Sequence, residues 1–143
     1  MALEVLDISH NKIGRHGAES IARMLEESSS LTALNLSYNS IRVAGAVQVC
    51  RGLLRSQGLT RLSLAWNGFG CHDMVHMAAY LEHNKTLQHL DLSFNHIGER
   101  GAVIFAASLY QNTTIHKIVL TGNPLGLRGM KVLTLALTLT LIE

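Results

Sequence analysis

Apolar residues recur along this chain in columns, each keeping the same step. Leu3, Leu31, Leu59, Leu87 and Ile115 stand 28 residues apart, and the same step joins Leu6, Leu34, Leu62, Leu90 and Ile118. Ile8, Leu36, Leu64, Leu92 and Leu120 form a third column, and Ile13, Ile41, Phe69, Ile97 and Leu125 a fourth. One polar column runs with them: Asn11, Asn39, Asn67, Asn95 and Asn123. A register held through four successive steps marks tandem repeats, and a period of this size marks a small supersecondary unit that stacks on its neighbours.

Inside each unit the periodicity changes. In Leu31-Thr-Ala-Leu-Asn-Leu36 the leucines at 34 and 36 alternate with Ala33, Asn35 and Ser37, which predicts a short strand. After the asparagine comes a glycine slot, filled by Gly17, Gly45, Gly101 and Gly129, with Asp73 as the exception. Helical spacing follows, with Ala18, Ile21, Ala22 and Leu25 on one stripe and Ala102, Phe105, Ala106 and Leu109 on another. The predicted unit is strand, turn, helix and return loop, over 3–30, 31–58, 59–86, 87–114 and 115–143. No such unit can bury its own leucines; stacking buries both faces of each and pairs the strands in a parallel sheet. The asparagines are expected to be structural. A turn tucked inside the stack leaves backbone groups away from water, and an amide offers both donors and an acceptor to pair them.

Composition narrows the class. The chain is 48% hydrophobic and 15% charged with one proline, as for one ordered domain. Its net charge of +2 is too small to imply a nucleic-acid partner. Cys50 and Cys71 make no disulfide framework, which favours a reducing compartment. The first residues lack the layout of a signal peptide, and the nearly apolar run from Val132 to Ile142 is too short to span a bilayer. A cytoplasmic protein without membrane contact is expected, and the sequons at Asn35, Asn84 and Asn112 read as chance.

The run Leu87-Gln-His-Leu-Asp-Leu-Ser-Phe-Asn-His-Ile-Gly-Glu-Arg-Gly-Ala102, followed by helical spacing, resembles the ribonuclease-inhibitor-like subfamily of leucine-rich repeat proteins. The junction Asn84-Lys-Thr-Leu87 is similar to that subfamily's hinge between helix and next strand, and the resemblance covers essentially the whole chain. It implies an α/β fold: a right-handed leucine-rich repeat solenoid with parallel strands on the concave face and helices on the convex face. It also implies a non-enzymatic scaffold that holds a protein partner on its curved surface. Cytoplasmic, cytoskeletal or ciliary assemblies, the sensing segments of NOD-like immune receptors and Ran GTPase-activating protein all use this repeat. Two departures stand out. Ribonuclease inhibitor is cysteine-rich and alternates two repeat types, which this chain does not. Neither end carries the polar cap a solenoid needs, so the chain is expected to be a segment of a longer array, or to have its ends covered by further repeats or neighbouring subunits. Leu133-Thr-Leu-Ala-Leu-Thr-Leu-Thr-Leu141 alternates like a strand where a helix is due; a helix is expected for its early part.

Strand residues facing away from the leucines line the concave face. One column is Val5, Ala33, Arg61, His89 and Lys117; the next is Asp7, Asn35, Ser63, Asp91 and Val119; a third is Ser9, Ser37, Ala65, Ser93 and Thr121. Beyond them lie His10, Tyr38, Trp66, Phe94 and Gly122. Tyr38, Trp66 and Phe94 sit in adjacent repeats. They read either as rings packed over the strand edge, common in the family, or as anchors for a partner. Arg61, His89 and Lys117 with Asp91 complete the expected partner-binding set. No cofactor or metal is expected. Cys71, His72 and His76 form the closest ligand grouping, but His72 is placed before the helix and no further ligand follows at a recognisable spacing. His10, His89 and His96 read as surface groups. Turn arginines Arg15, Arg42, Arg100 and Arg128 are the residues a GTPase-activating alternative would use.

Overall fold

The structure is a computed structural model describing residues 2–140. Strands and helices alternate along the chain: β1 (Val5–Asp7), α1 (Gly14–Glu27), β2 (Ala33–Asn35), α2 (Ala44–Arg55), β3 (Arg61–Ser63), α3 (Cys71–His83), β4 (His89–Asp91), α4 (Glu99–Leu109), β5 (Lys117–Val119) and α5 (Gly126–Thr140). The strands form one parallel sheet in sequence order, with Val5, Ala33, Arg61, His89 and Lys117 facing one another in register. The sequence period is thus the sheet register. The expected α/β solenoid of alternating parallel strands and helices is what forms.

The core is the repeat columns themselves. Leu34, Leu62 and Leu90 point inward from the strands, Leu36, Leu64 and Leu92 follow, and Ile41, Phe69 and Ile97 close the layer below the turns. From the helices, Ala18, Ile21, Ala22 and Leu25 of α1 and Ala102, Phe105, Ala106 and Leu109 of α4 are buried, as their spacing predicts. Asp73, the exception in the glycine slot, is buried as well. Its Oδ2 accepts the Gly70 backbone N–H at 2.8 Å and so holds the start of α3.

One expectation is met and extended, and one needs correction. The helix expected for the early part of the last segment forms and continues through Thr140. Leu133 and Ala136 are buried while Leu135 and Leu137 are exposed, so burial follows the helical and not the alternating period. Thr134 and Thr138 donate their hydroxyls to the carbonyls of Met130 and Leu135, which lets threonines sit inside a helix. The part of that segment at 141–143 lies outside the described residues. Second, Ser37, Ala65 and Ser93 are not open concave positions but buried ones. Ser37 and Ser93 bring their hydroxyls to Asn35 Oδ1 and Asp91 Oδ1 at 2.7 and 2.6 Å. Each therefore turns back on its own strand.

Tyr80 is the largest fully buried side chain, and its hydroxyl has no hydrogen-bond partner among the described residues. Burial also pushes its pKa well above the ordinary tyrosine value. An unpaired buried hydroxyl costs about 1–3 kcal/mol. Tyr80→Phe is therefore expected to raise the melting temperature by roughly 3 °C, taking about 1 kcal/mol of gain for a chain of this size. A fall on thermal denaturation would show that the hydroxyl is satisfied.

Candidate functional site

The turn after each strand is built on the asparagine column. Asn67 is 1% exposed; its Oδ1 accepts the N–H groups of Asn39 and Ile41, both at 3.1 Å, and its Nδ2 donates to Leu36 O and Ala65 O. Asn95 does the same one repeat on, accepting from Asn67 and Phe69 and donating to Leu64, Leu92 and Ser93. Asn39 repeats the pattern, while Asn123 accepts from Ile97 and donates to Leu92 and Leu120. The ladder is open at both ends: among the described residues nothing donates to Asn11 Oδ1, and no further asparagine oxygen accepts the Asn123 N–H. A second buried ladder lies at the return loops, where the sequence pattern marks only a hinge. Asn84 Oδ1 accepts from Thr86 and Leu87, Asn112 Oδ1 from Thr114 and Ile115, and Asn112 Nδ2 reaches Leu81 O and Asn84 O. Both asparagines are buried, so their sequons are not open surface.

The asparagine turn fixes the backbone just before it. His10, Tyr38, Trp66, Phe94 and Gly122 all take left-handed φ values, 59°, 58°, 56°, 52° and 74°. Glycine, found in the fifth unit, is the residue that adopts this conformation without strain; a bulky side chain there costs about 1–3 kcal/mol. Four units nevertheless carry rings, and the rings stack. His10 lies on Tyr38 at 4.1 Å between centroids, Tyr38 on Trp66 at 5.2 Å, and Trp66 on Phe94 at 4.6 Å, with planes 11–15° apart. Mutual stacking offsets part of the strain, at about 0.5–1.5 kcal/mol per pair. Phe94 ends the series over Gly122, where a Cβ would fall 2.4 Å from the ring. The ladder is still open to solvent: Tyr38, Trp66 and Phe94 are 43%, 46% and 43% exposed. His10, expected as a separate surface group, thus joins the three aromatics as a fourth ring. Its place in their column was the available signal.

Beside the ladder, the outward strand residues enclose a groove of about 360 Å³ that runs across all five strands. Arg61, His89 and Lys117 stand in register on β3, β4 and β5, and Asp7 and Asp91 lie in the parallel row. Asp91 Oδ1 is taken up by the Ser93 N–H and hydroxyl, and Oδ2 faces the Ser63 hydroxyl at 3.5 Å. Asp7 accepts from the Ser9 N–H, the Ser9 hydroxyl and Asn35 Nδ2. Those hydrogen bonds, the Ser9 backbone first, hold its pKa below the ordinary 3.8. On the far side of the rings a smaller pocket of about 170 Å³ is lined by Ser40, Arg42, Trp66, Gly68, Phe94 and His96.

The other sequence candidates are not brought together. α3 begins at Cys71, so His72 and His76 lie on its first turns and not before it; their rings are 5.3 Å apart. Among the described residues no group of three histidine, cysteine or acidic side chains could hold a metal. Arg15, Arg100 and Arg128 sit in the first turns of helices, not in free loops, and Arg15 pairs with Glu19 at 3.6 Å. Arg42 alone stays in a turn, lying against Gly68. Both thiols are free, Cys50 buried and Cys71 partly so. No helix of the described residues is long and apolar enough to cross a membrane.

A strand–turn–helix unit repeated at constant register, with an asparagine ladder under every turn, defines a repeat solenoid built around one shared interior. The chain belongs to the leucine-rich repeat family: residues 2–22, 27–50, 83–106 and 111–133 match its pattern. No curated protein matches in sequence. Among solved structures the fold is similar to "Leiomodin-1 Actin-Binding Site 2 (ABS2)", with a TM-score of 0.82 and 20% identity over 96% of this chain and 80% of that one. It is also similar to the tropomodulin C-terminal domain of Caenorhabditis elegans, with a TM-score of 0.57 and 11% identity over 87% and 93%. At these identities the likeness shows the fold.

Proposed function

We propose that this protein is a non-enzymatic scaffold of the ribonuclease-inhibitor-like type, which binds a protein partner along its ring ladder and concave strand face. The observation that carries the reading is the ladder. Tyr38, Trp66 and Phe94 hold strained left-handed backbone and stay nearly half exposed, where glycine would fit without strain. Strain retained at exposed aromatics is better explained by contact with something than by the fold. Arg61, His89, Lys117 and Asp91 complete the contact face, and Asn11, Asn39, Asn67, Asn95 and Asn123 hold it in shape. Of the settings the resemblance offers, a cytoplasmic, cytoskeletal assembly has a structural counterpart in leiomodin-1's actin-binding site, ahead of immune sensing or GTPase activation. The chain acts as one domain of five repeats, held in one register by the shared asparagine ladder.

The test is chemical crosslinking from the ladder, with recovery compared between parent and Trp66→Ala. The variant should lose roughly 2 kcal/mol or more of partner affinity, about thirtyfold, with a melting temperature within a few degrees of the parent. Equal recovery by both proteins would sink the proposal.

A further inference from the structure

The acids and bases of the binding face are in different states. Every acid in the groove is already engaged: Asp7 accepts three hydrogen bonds from Ser9 and Asn35, and Asp91 accepts from Ser93 and faces Ser63. The bases are not. The ion pairs formed among the described residues are Arg15 with Glu19 and Arg55 with Glu26, so Arg42, Arg61 and Lys117 have no carboxylate partner there. Arg61 and Lys117 are exposed and share one row with His89 between them. Across the rings, the turns at 10–14, 38–42, 66–70, 94–98 and 122–126 contain Lys12 and Arg42 and no acidic residue. The charged side chains beside the ladder that have no hydrogen-bonded or ion-pair partner are therefore the bases.

We infer that the face is built for an extended acidic segment of a protein partner, with a central apolar or aromatic residue on the rings and carboxylates on either flank. This rests on the scaffold reading and names the chemistry of its occupant. One flank would meet Arg61 and Lys117, and the other Arg42 in the pocket beside Trp66 and Phe94. Arg61 and Trp66 lie five positions apart, at most about 16 Å at about 3.3 Å per residue, since the chain leaves the strand after Ser63. A segment lying along the strands thus needs its first acidic flank about five residues from the residue on the rings. The charges of Asp7 and Asp91 remain in the groove, so the attraction is short in range and selects placed carboxylates over diffuse negative charge.

The test uses the full chain and a fluorescein-labelled peptide, Glu-Glu-Ser-Gly-Ser-Phe-Ser-Glu-Glu, followed by fluorescence anisotropy. The same peptide with Gln for every Glu should bind at least tenfold more weakly, and the Lys version should not bind. Arg61→Gln with Lys117→Gln, and separately Arg42→Gln, should each weaken the Glu peptide by about fivefold, in line with exposed ion pairs of up to roughly 1 kcal/mol. All these residues are exposed, so the variants should melt with the parent. Affinity should fall as salt rises from about 50 to about 300 mM. Equal binding of the Gln peptide, tighter binding of the Lys peptide or of oligothymidylate, no binding of the Glu peptide, or indifference to the arginine and lysine variants would each overturn the inference. If the Glu peptide fails while crosslinked partner recovery still depends on Trp66, the scaffold reading stands and the acidic occupant falls. If recovery is also independent of Trp66, both fall.

Discussion

Asn95→Ala is expected to lower the melting temperature by about 10–15 °C, the equivalent of about 4 kcal/mol in a chain of this size. The side chain is 2% exposed and makes five hydrogen bonds, two accepted and three donated. Truncation strands the N–H groups of Asn67 and Phe69 inside the stack, each at about 1–3 kcal/mol, and water has no path to them. Asn95→Asp should not rescue the fold. It keeps the acceptor but turns carboxylate lone pairs toward the carbonyls of Leu64, Leu92 and Ser93. Asn11→Ala is the control. The same residue at the exposed end donates to Ile8 O and Ser9 O, which water can reach, so its loss should cost less than about 1 kcal/mol. Thermal denaturation by circular dichroism reads all three. A shift below about 3 °C for Asn95→Ala would mean the ladder is not a major source of stability.

That contrast shows what was legible in the sequence. The asparagine column could be read because its cause is local to the repeat and identical in each one: a turn buried among leucines requires a side chain that both donates and accepts. The leucine columns were legible for the same reason, and they define the strands, the sheet register and the concave rows holding Arg61, His89 and Lys117. What escaped depends on the neighbouring unit in three dimensions. That Ser37 and Ser93 fold back on Asn35 and Asp91 is a rotamer outcome, and sequence alternation assigns them to the open face instead. The threonines near the C-terminus alternate as in a strand, but a helix already begun at Gly126 propagates through them because α4 offers it a packing surface. The aromatics were visible as a column. Their left-handed backbone was not, because propensity alone would have placed glycine or asparagine there.

Gly52→Leu is expected to cost about 3 kcal/mol or more, and nothing in the repeat columns marks it. Gly52 lies inside α2, away from the recurring glycine slot, in a column otherwise occupied by Met24, Tyr80, Ser108 and Ala136. A Cβ there would fall 2.6 Å from the Ala22 Cα and 2.8 Å from its carbonyl oxygen. Both atoms are helix backbone, so no side-chain rotation relieves the clash, and α1 must move off α2. Even Gly52→Ala should destabilise, reversing the gain of about 1 kcal/mol that glycine-to-alanine gives in an unobstructed helix. Gly98→Ala is the steric control: a Cβ at this residue, which precedes α4, meets nothing within 4 Å, so only the smaller cost of a poorer N-cap should register. In a solenoid each unit touches only its neighbours, so the damage should be local. Hydrogen exchange on Gly52→Leu should show lost protection at Ile21, Ala22 and Leu25, with α4 and α5 protected as in the parent. Uniform loss across the chain would mean that the first unit is not energetically separable, and that the stack folds as one cooperative body.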